Sequence, residues 1–268
     1  MNRRRKFNIW GWVWILVGVS YFFIPMIGTF AFSLRARKGV LSLLAYQRVL
    51  EDPQFVRTFG FSIGMGVLTI IASLLLIAPT VYWVRLRLPK LRPVVEFISL
   101  MPFVIPAIVL VFGLIRVYSG GVLSLTNTVV GTDILLVGGY MVLALPYMFR
   151  SVDTGLAAID VRTLTEAAQS LGAGWGTILF RVIFPNLRAA LLSGAFITLA
   201  LVIGEFTIAS FLVGMNAFGP YMSQVGRNRT YESASLAIIS FALTWLFIGI
   251  IQFIGRGKPG QGQVVGAR

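Results

Sequence analysis

Glu166-Ala167-Ala168-Gln169-Ser170-Leu171-Gly172 and, ten residues on, Val182-Ile183-Phe184-Pro185 lie between two long apolar runs. The preceding Thr163-Leu164-Thr165-Glu166 reads as a capping box, in which a hydroxyl and a carboxylate satisfy the free amides of a helix start. Ala167 and Ala168 keep that helix slim on one side. Gly172 suits the left-handed residue that ends a helix. A second short helix is expected from Trp175 to Ile183, with Pro185 in the first turn of a helix entering the membrane.

The spacing resembles the EAA loop of permease subunits of type I ATP-binding-cassette importers. That pattern is Glu-Ala-Ala, three residues, Gly, nine residues, an aliphatic, one residue, an apolar residue and Pro. Val182 stands at the aliphatic position, and Phe184 where leucine is commoner. A capped amphipathic helix is the bland reading, since Glu and Ala are common helix residues. The full spacing, closed by a proline at a membrane entry, is far more specific. The resemblance implies a cytoplasmic coupling helix that docks in a groove of an ATPase. Glu166, Ala167, Ala168, Leu171 and Gly172 are then the expected contacts.

Composition fixes the class. The chain has 268 residues, 57% hydrophobic and 12% charged, with a mean hydropathy of +0.86. Soluble domains carry about 25% charged residues. An all-α membrane protein is expected, with 1–268 as one permease domain. Cysteine and histidine are absent, which removes disulfides, thiolate metal sites, imidazole bases and Ser-His catalysis. The net charge of +14 is accounted for by Lys and Arg flanking spans and meeting anionic lipid. No soluble stretch is long enough for a nucleic-acid reader.

Six spans are expected, at about 9–34, 58–84, 95–117, 133–152, 186–212 and 233–255, with the coupling-helix loop at 153–185. The uncharged run from Phe7 to Leu34 is too long for a signal-peptide core. Trp10, Trp12 and Trp14 read as interfacial anchors. Gly60, Gly64 and Gly66 offer a small-residue packing face. With the N-terminus inside, fifteen of the 23 basic residues fall on the cytoplasmic side. Both termini are therefore expected in the cytoplasm of a multi-pass protein of the bacterial inner membrane.

Two features point to a pathway. Pro102 and Pro106 each remove a ladder donor inside the third span, so it must kink or open. The bend either shapes packing or lines a pathway. Glu205 is the carboxylate in an otherwise uncharged stretch from Ala189 to Gly226. It either joins subunits as a neutralised or Arg-paired group, or serves as counter-charge for a cationic solute. Gly204-Glu205-Phe206-Thr207 resembles the fifth span of importer permeases for polyamines, aminoethylphosphonate, thiamine and ferric iron. Glu205, Thr207, Pro102 and Pro106 are the expected pathway residues.

The chain has no Walker A phrase, so it is not expected to be an enzyme. By the resemblance, ATP and Mg are bound by a separate ATPase dimer and the chain itself has no cofactor or metal. The resemblance also implies a second permease subunit, taken as a different chain, and an extracytoplasmic solute-binding protein. Spermidine or putrescine is the leading solute. A phosphonate, an iron complex or another small solute is the alternative within the family. An ATP-independent carrier or channel is the competing class, but it would usually show paired broken segments in two halves.

Overall fold

The computed structural model describes residues 9–37, 40–120 and 124–255. The basic N-terminal residues Arg3 to Lys6, Lys38 and the tail from Arg256 fall outside them. Apart from an isolated bridge between Arg37 and Val40, the described chain is helices and turns. In order these are α1 Ile9–Ser33, α2 Leu44–Glu51, α3 Pro53–Arg87, α4 Arg92–Leu100, α5 Ala107–Tyr118 and α6 Val129–Ala157. There follow α7 Val161–Ser170, α8 Trp175–Asn186, α9 Arg188–Gly204, α10 Thr207–Leu212, α11 Phe218–Asn228 and α12 Thr230–Gly255.

Among the described residues, α1, α3, α6 and α12 are long and apolar enough to cross a bilayer. Two bent pairs bring the number to six when each is counted as one span. The first joins Pro89–Phe103 to α5 at 99°, and the second joins α8 to α9 at 80°. The third expected span is thus broken rather than gently kinked. Pro102 lies in a 3-10 turn, and Pro106 is the extended residue that starts α5.

The fifth expected span also differs. It does not run unbroken from 186 to 212. α9 starts at Arg188 and stops at Gly204, and a separate short helix starts at Thr207. Pro185 does not open the membrane helix. It lies at the end of α8, whose middle, Ile178–Ile183, is a π-helical turn. The stretch between the fifth and sixth expected spans holds α11. The region 35–57 holds α2, and α3 begins at Pro53 with the Asp52 carboxylate accepting from the Gln54 amide at 2.9 Å.

The chain divides into two compact units, Met1–Phe55 with Met222–Leu243, and Val56–Tyr221 with Thr244–Arg268. In the first unit, Arg48 pairs with Glu232 at 2.9 Å, Ser33 meets the Tyr46 hydroxyl at 2.7 Å, and Phe32 stacks on Tyr231. The tryptophans of α1 are exposed.

Among the described residues, the second unit carries two apolar cores. One gathers Ile77, Val81 and Tyr82 of α3, Met148 and Val152 of α6, Ala168 of α7, and Ile178 and Ile183 of α8. The other joins Val111 of α5, Leu136 and Tyr140 of α6, Val202 of α9, and Ile208 and Ala209 of α10. Inside a bilayer such contacts hold by close packing and hydrogen bonds rather than by escape from water. Of the three glycines on α3, only Gly66 meets neighbours, Leu199 and Val202. Gly60 and Gly64 face open space, so the expected glycine face is reduced to one residue.

Candidate functional site

α7 is short, polar on one side and capped at both ends. Its N-cap is Asp160, three residues earlier than the capping box placed it. The Asp160 carboxylate accepts from the Thr163 amide at 3.1 Å and from its hydroxyl at 2.7 Å. An aspartate at this place outcompetes Thr163 because it satisfies both donors at once. The Thr163 hydroxyl and amide hold the Asp160 carboxyl below the usual carboxylate range. Glu166 does not reach back to Thr163. It pairs one turn away with Arg162 at 2.8 Å, the ordinary i,i+4 geometry of an exposed helix face.

The C-terminus is a Schellman motif. Gly172 has φ +76°, its amide donates to Gln169 O at 2.9 Å, and the Ala173 amide donates to Ala168 O at 3.0 Å. The sequence reading of Gly172 as a left-handed stop agrees with this geometry.

The five expected contact residues do not share one face. Glu166, Ala167, Leu171 and Gly172 are exposed, Leu171 at 88%. Ala168 is buried in the core of its own chain. It cannot touch a partner there, and it sets how closely α7 seats on the helices beneath.

Two contacts fasten this region to α3. The buried Tyr82 hydroxyl meets Thr165 Oγ1 at 2.8 Å. Trp83 packs edge-on against Trp175 with ring centroids 5.2 Å apart. A third device, not read from the sequence, ties α3, α4 and α6 together. Asp153, only 7% exposed, accepts from Arg85 and from Arg92, each at 2.9 Å. Arg85 also donates to the Asp153 carbonyl at 3.3 Å, while its Nε is buried without a partner. Glu96 of α4 meets Arg150 of α6 at 3.3 Å. The sequence signal was an aspartate on a helical register between Phe149 and Leu156, both buried. An acidic residue on a packed face calls for a cationic partner.

Two cavities flank the site. One, of about 320 Å³, lies among α3, α7 and the start of α8. The other, of about 480 Å³, lies between α6 and the α8–α9 bend, with Tyr147, Ser151, Thr154, Asn186 and Ser193 in its wall.

The expected pathway residues fall at the two breaks. Pro102 and Pro106 bracket the turn into α5. Glu205 occupies the gap between α9 and α10, half-buried, and both its carboxylate oxygens are engaged. Oε1 accepts from the Ile208 amide at 2.9 Å and Oε2 from the Ala209 amide at 3.0 Å. These two bonds form an intrachain cap at the start of α10. Thr207 is the first residue of α10. α10 packs on α5 through Phe211 and Phe112, 4.8 Å apart. Gly219 crosses the break so closely that a Cβ there would collide with the Glu205 carbonyl oxygen.

Comparison with known proteins gives a consistent picture. The family model described as "Binding-protein-dependent transport system inner membrane component" matches residues 86–256. The chain is 26% identical over 214 residues to the spermidine/putrescine transport system permease protein PotB of Haemophilus influenzae, covering 73% of this chain and 74% of that protein. It is 25% identical over 225 residues to PotB of Escherichia coli, covering 77% and 79%. It is 28% identical over 202 residues to a probable sulfate transport system permease protein cysT of Prototheca wickerhamii, covering 71% and 76%.

Among solved structures, a bacterial ABC transporter involved in import of the acidic polysaccharide alginate has a chain of the same fold. Its TM-score is 0.68 at 13% identity, covering 92% of this chain and 93% of that one. The MetNI methionine ABC transporter, in an inward-facing form, matches with a TM-score of 0.53 at 23% identity, covering 75% and 92%. This chain belongs to the family of binding-protein-dependent transport system inner membrane components, and it is a multi-pass permease subunit of an ATP-binding-cassette importer.

Proposed function

We propose that the chain imports a polyamine, spermidine or putrescine. It does so beside a second permease subunit, two ATPase subunits and an extracytoplasmic solute-binding protein. The similarity to PotB over about three quarters of both chains supports the solute. The observation that carries the coupling role is the exposed surface formed by Glu166, Ala167, Leu171 and Gly172. It sits on a helix capped at both ends and fastened to α3 through Tyr82. In this reading that surface is the ATPase contact. It faces the cytoplasm, as do both termini, in keeping with the bias of basic residues. ATP and Mg belong to the partner ATPase, whose closure draws on α7 and switches the access of the pathway.

Glu205 has a defined place in this reading. Two backbone amides hold its carboxylate in one orientation, and a fixed negative charge in a medium of low dielectric attracts an ammonium group strongly. Thr207, Pro102 and Pro106 keep open the breaks that border the route.

The test is uptake of labelled spermidine by cells expressing the assembled importer, in competition with unlabelled putrescine, sulfate and methionine. Competition by putrescine alone is the expected result. Competition by sulfate would assign the chain to an anion importer, and competition by methionine to an amino-acid importer.

A further inference from the structure

We infer that the recess bounded by Leu86 and Arg87 of α3, by Arg162, Glu166 and Gln169 of α7, and by Trp175 of α8 is a socket for an acidic side chain of the partner ATPase. This inference rests on the docking role proposed for α7, and adds a second point of contact, on α3.

Charge is the first ground. Arg162 is neutralised by Glu166. The nearby carboxylates are also engaged: Asp153 by Arg85 and Arg92, Glu96 by Arg150, and Asp160 by Thr163. Among the described residues, Arg87 makes no ion pair, and it is an exposed part of the recess wall. One unneutralised guanidinium therefore remains in the socket, and one carboxylate would balance it. A planar guanidinium offers paired donors that match a carboxylate, which a lysine could not do as well.

Preorganisation is the second ground. Each wall is fixed by a contact of its own. Tyr82 bonded to Thr165 holds α7 against α3, Trp83 against Trp175 holds the start of α8, and the Gly172 turn sets the angle between α7 and α8. A cavity of about 320 Å³ has room for one side chain. An Arg beside a Trp in a formed recess is the composition in which interface energy concentrates. An ATPase that fills this socket pulls on the end of a long membrane helix directly, as well as on α7.

The competing occupant is the headgroup of an anionic lipid, because basic residues beside a span attract such lipids. A photo-crosslinking residue at Gln169, in the full complex in membranes containing anionic phospholipid, separates the two. The same residue at Leu171 serves as reference for docking. The expected result is a Gln169 adduct on an ATPase peptide that contains Asp or Glu. Arg87→Ala should weaken that adduct about fivefold, the scale of an exposed ion pair, and Arg87→Glu should weaken it further. The Leu171 adduct should persist in both variants, which shows that the complex is still assembled. A Gln169 adduct on phospholipid, or on an ATPase peptide but insensitive to Arg87→Glu, overturns the socket while docking by α7 stands. Absence of ATPase adducts from both positions overturns docking, and the socket with it.

Discussion

The Tyr82 hydroxyl donates to Thr165 Oγ1 across 2.8 Å in the protein interior. The direction follows from the next link, since Thr165 Oγ1 gives its own proton to Val161 O at 2.6 Å. A membrane helix and the short polar helix are thus joined by a two-bond chain. Tyr82→Phe removes the first bond and leaves Thr165 satisfied within its own helix, at a cost of about 1 kcal/mol. Thr165→Val instead strands the buried Tyr82 hydroxyl and should cost more, about 1–3 kcal/mol. Thermal unfolding of the purified chain in detergent should show the double variant no worse than Thr165→Val alone. Simple additivity of the two losses would show that the bond contributes nothing.

Asp153 presents a sharper contrast between two arginines. Arg92 is about half exposed and Arg85 about a quarter. Arg92→Ala gives up a pair screened by water and should cost about 0–1 kcal/mol. Asp153→Ala strands Arg85, whose Nε already lacks a partner, and removal of one member of a buried pair costs about 3–5 kcal/mol. Partial exposure of both arginines places the expected loss at the low end of that range. The yield of folded chain after membrane extraction should fall for Asp153→Ala and stay near normal for Arg92→Ala. Equal yields would contradict the clamp.

The Asp160 cap has a pH signature. Its folded pKa is depressed by the Thr163 hydroxyl and amide. The cap is therefore fully present above the unfolded value of about 3.9, and it is lost as pH falls through the lower folded value. Asp160→Asn keeps an acceptor and should protect α7 from proteolysis equally above and below that window. Asp160→Ala should leave the first turn open to cleavage at neutral pH. Wild-type α7 should loosen only under strong acid, and loosening near pH 6 would rule out this assignment.

For Glu205, cap and charge are separable. Glu205→Gln retains one carbonyl acceptor and removes the charge, so it gives up one of the two amide bonds, about 1 kcal/mol. The assembled complex should form at near-normal yield while spermidine uptake drops. With an anionic solute, the same change should be neutral or favourable. Spermidine uptake that stays at the wild-type level, or falls only in step with complex yield, would take Glu205 out of the pathway.

The sequence was most legible where a local rule operates alone. Gly172 needs only its own backbone to explain it, and it stands at φ +76°. The apolar runs coincide with the four long apolar helices α1, α3, α6 and α12, because suitability for lipid is a property of the whole segment. Competition between neighbours hid the rest. Thr163 and Asp160 are both good caps, and only geometry shows that Asp160 accepts from both Thr163 donors. The break at Gly204–Phe206 has no proline to announce it. It depends on Glu205 capping the next helix and on Gly219 passing close by. Ala168 looked equivalent to Ala167, yet one residue around a helix separates the packed face from the exposed one. Asp153 meets Arg85 and Arg92 across more than sixty residues of chain, a pairing that periodicity does not encode.

The central claim is that ATP hydrolysis by a partner drives solute through this chain by way of the α7–Gly172 surface. A Cβ at Gly172 meets no neighbour of its own chain within 4 Å, so within the chain Gly172→Leu acts through the backbone, by about 1–2 kcal/mol, and on the docking surface it also adds bulk. Gly172→Asn should be milder, because asparagine tolerates this conformation. The decisive measurement is spermidine accumulation in proteoliposomes holding the chain with its permease partner, ATPase and loaded binding protein. Wild type should accumulate solute only with ATP inside the vesicle compartment that holds the ATPase. Gly172→Leu should abolish accumulation while the chain stays inserted, and Gly172→Asn should retain most of it. Accumulation without ATP, or at the wild-type rate in Gly172→Leu, would contradict the account.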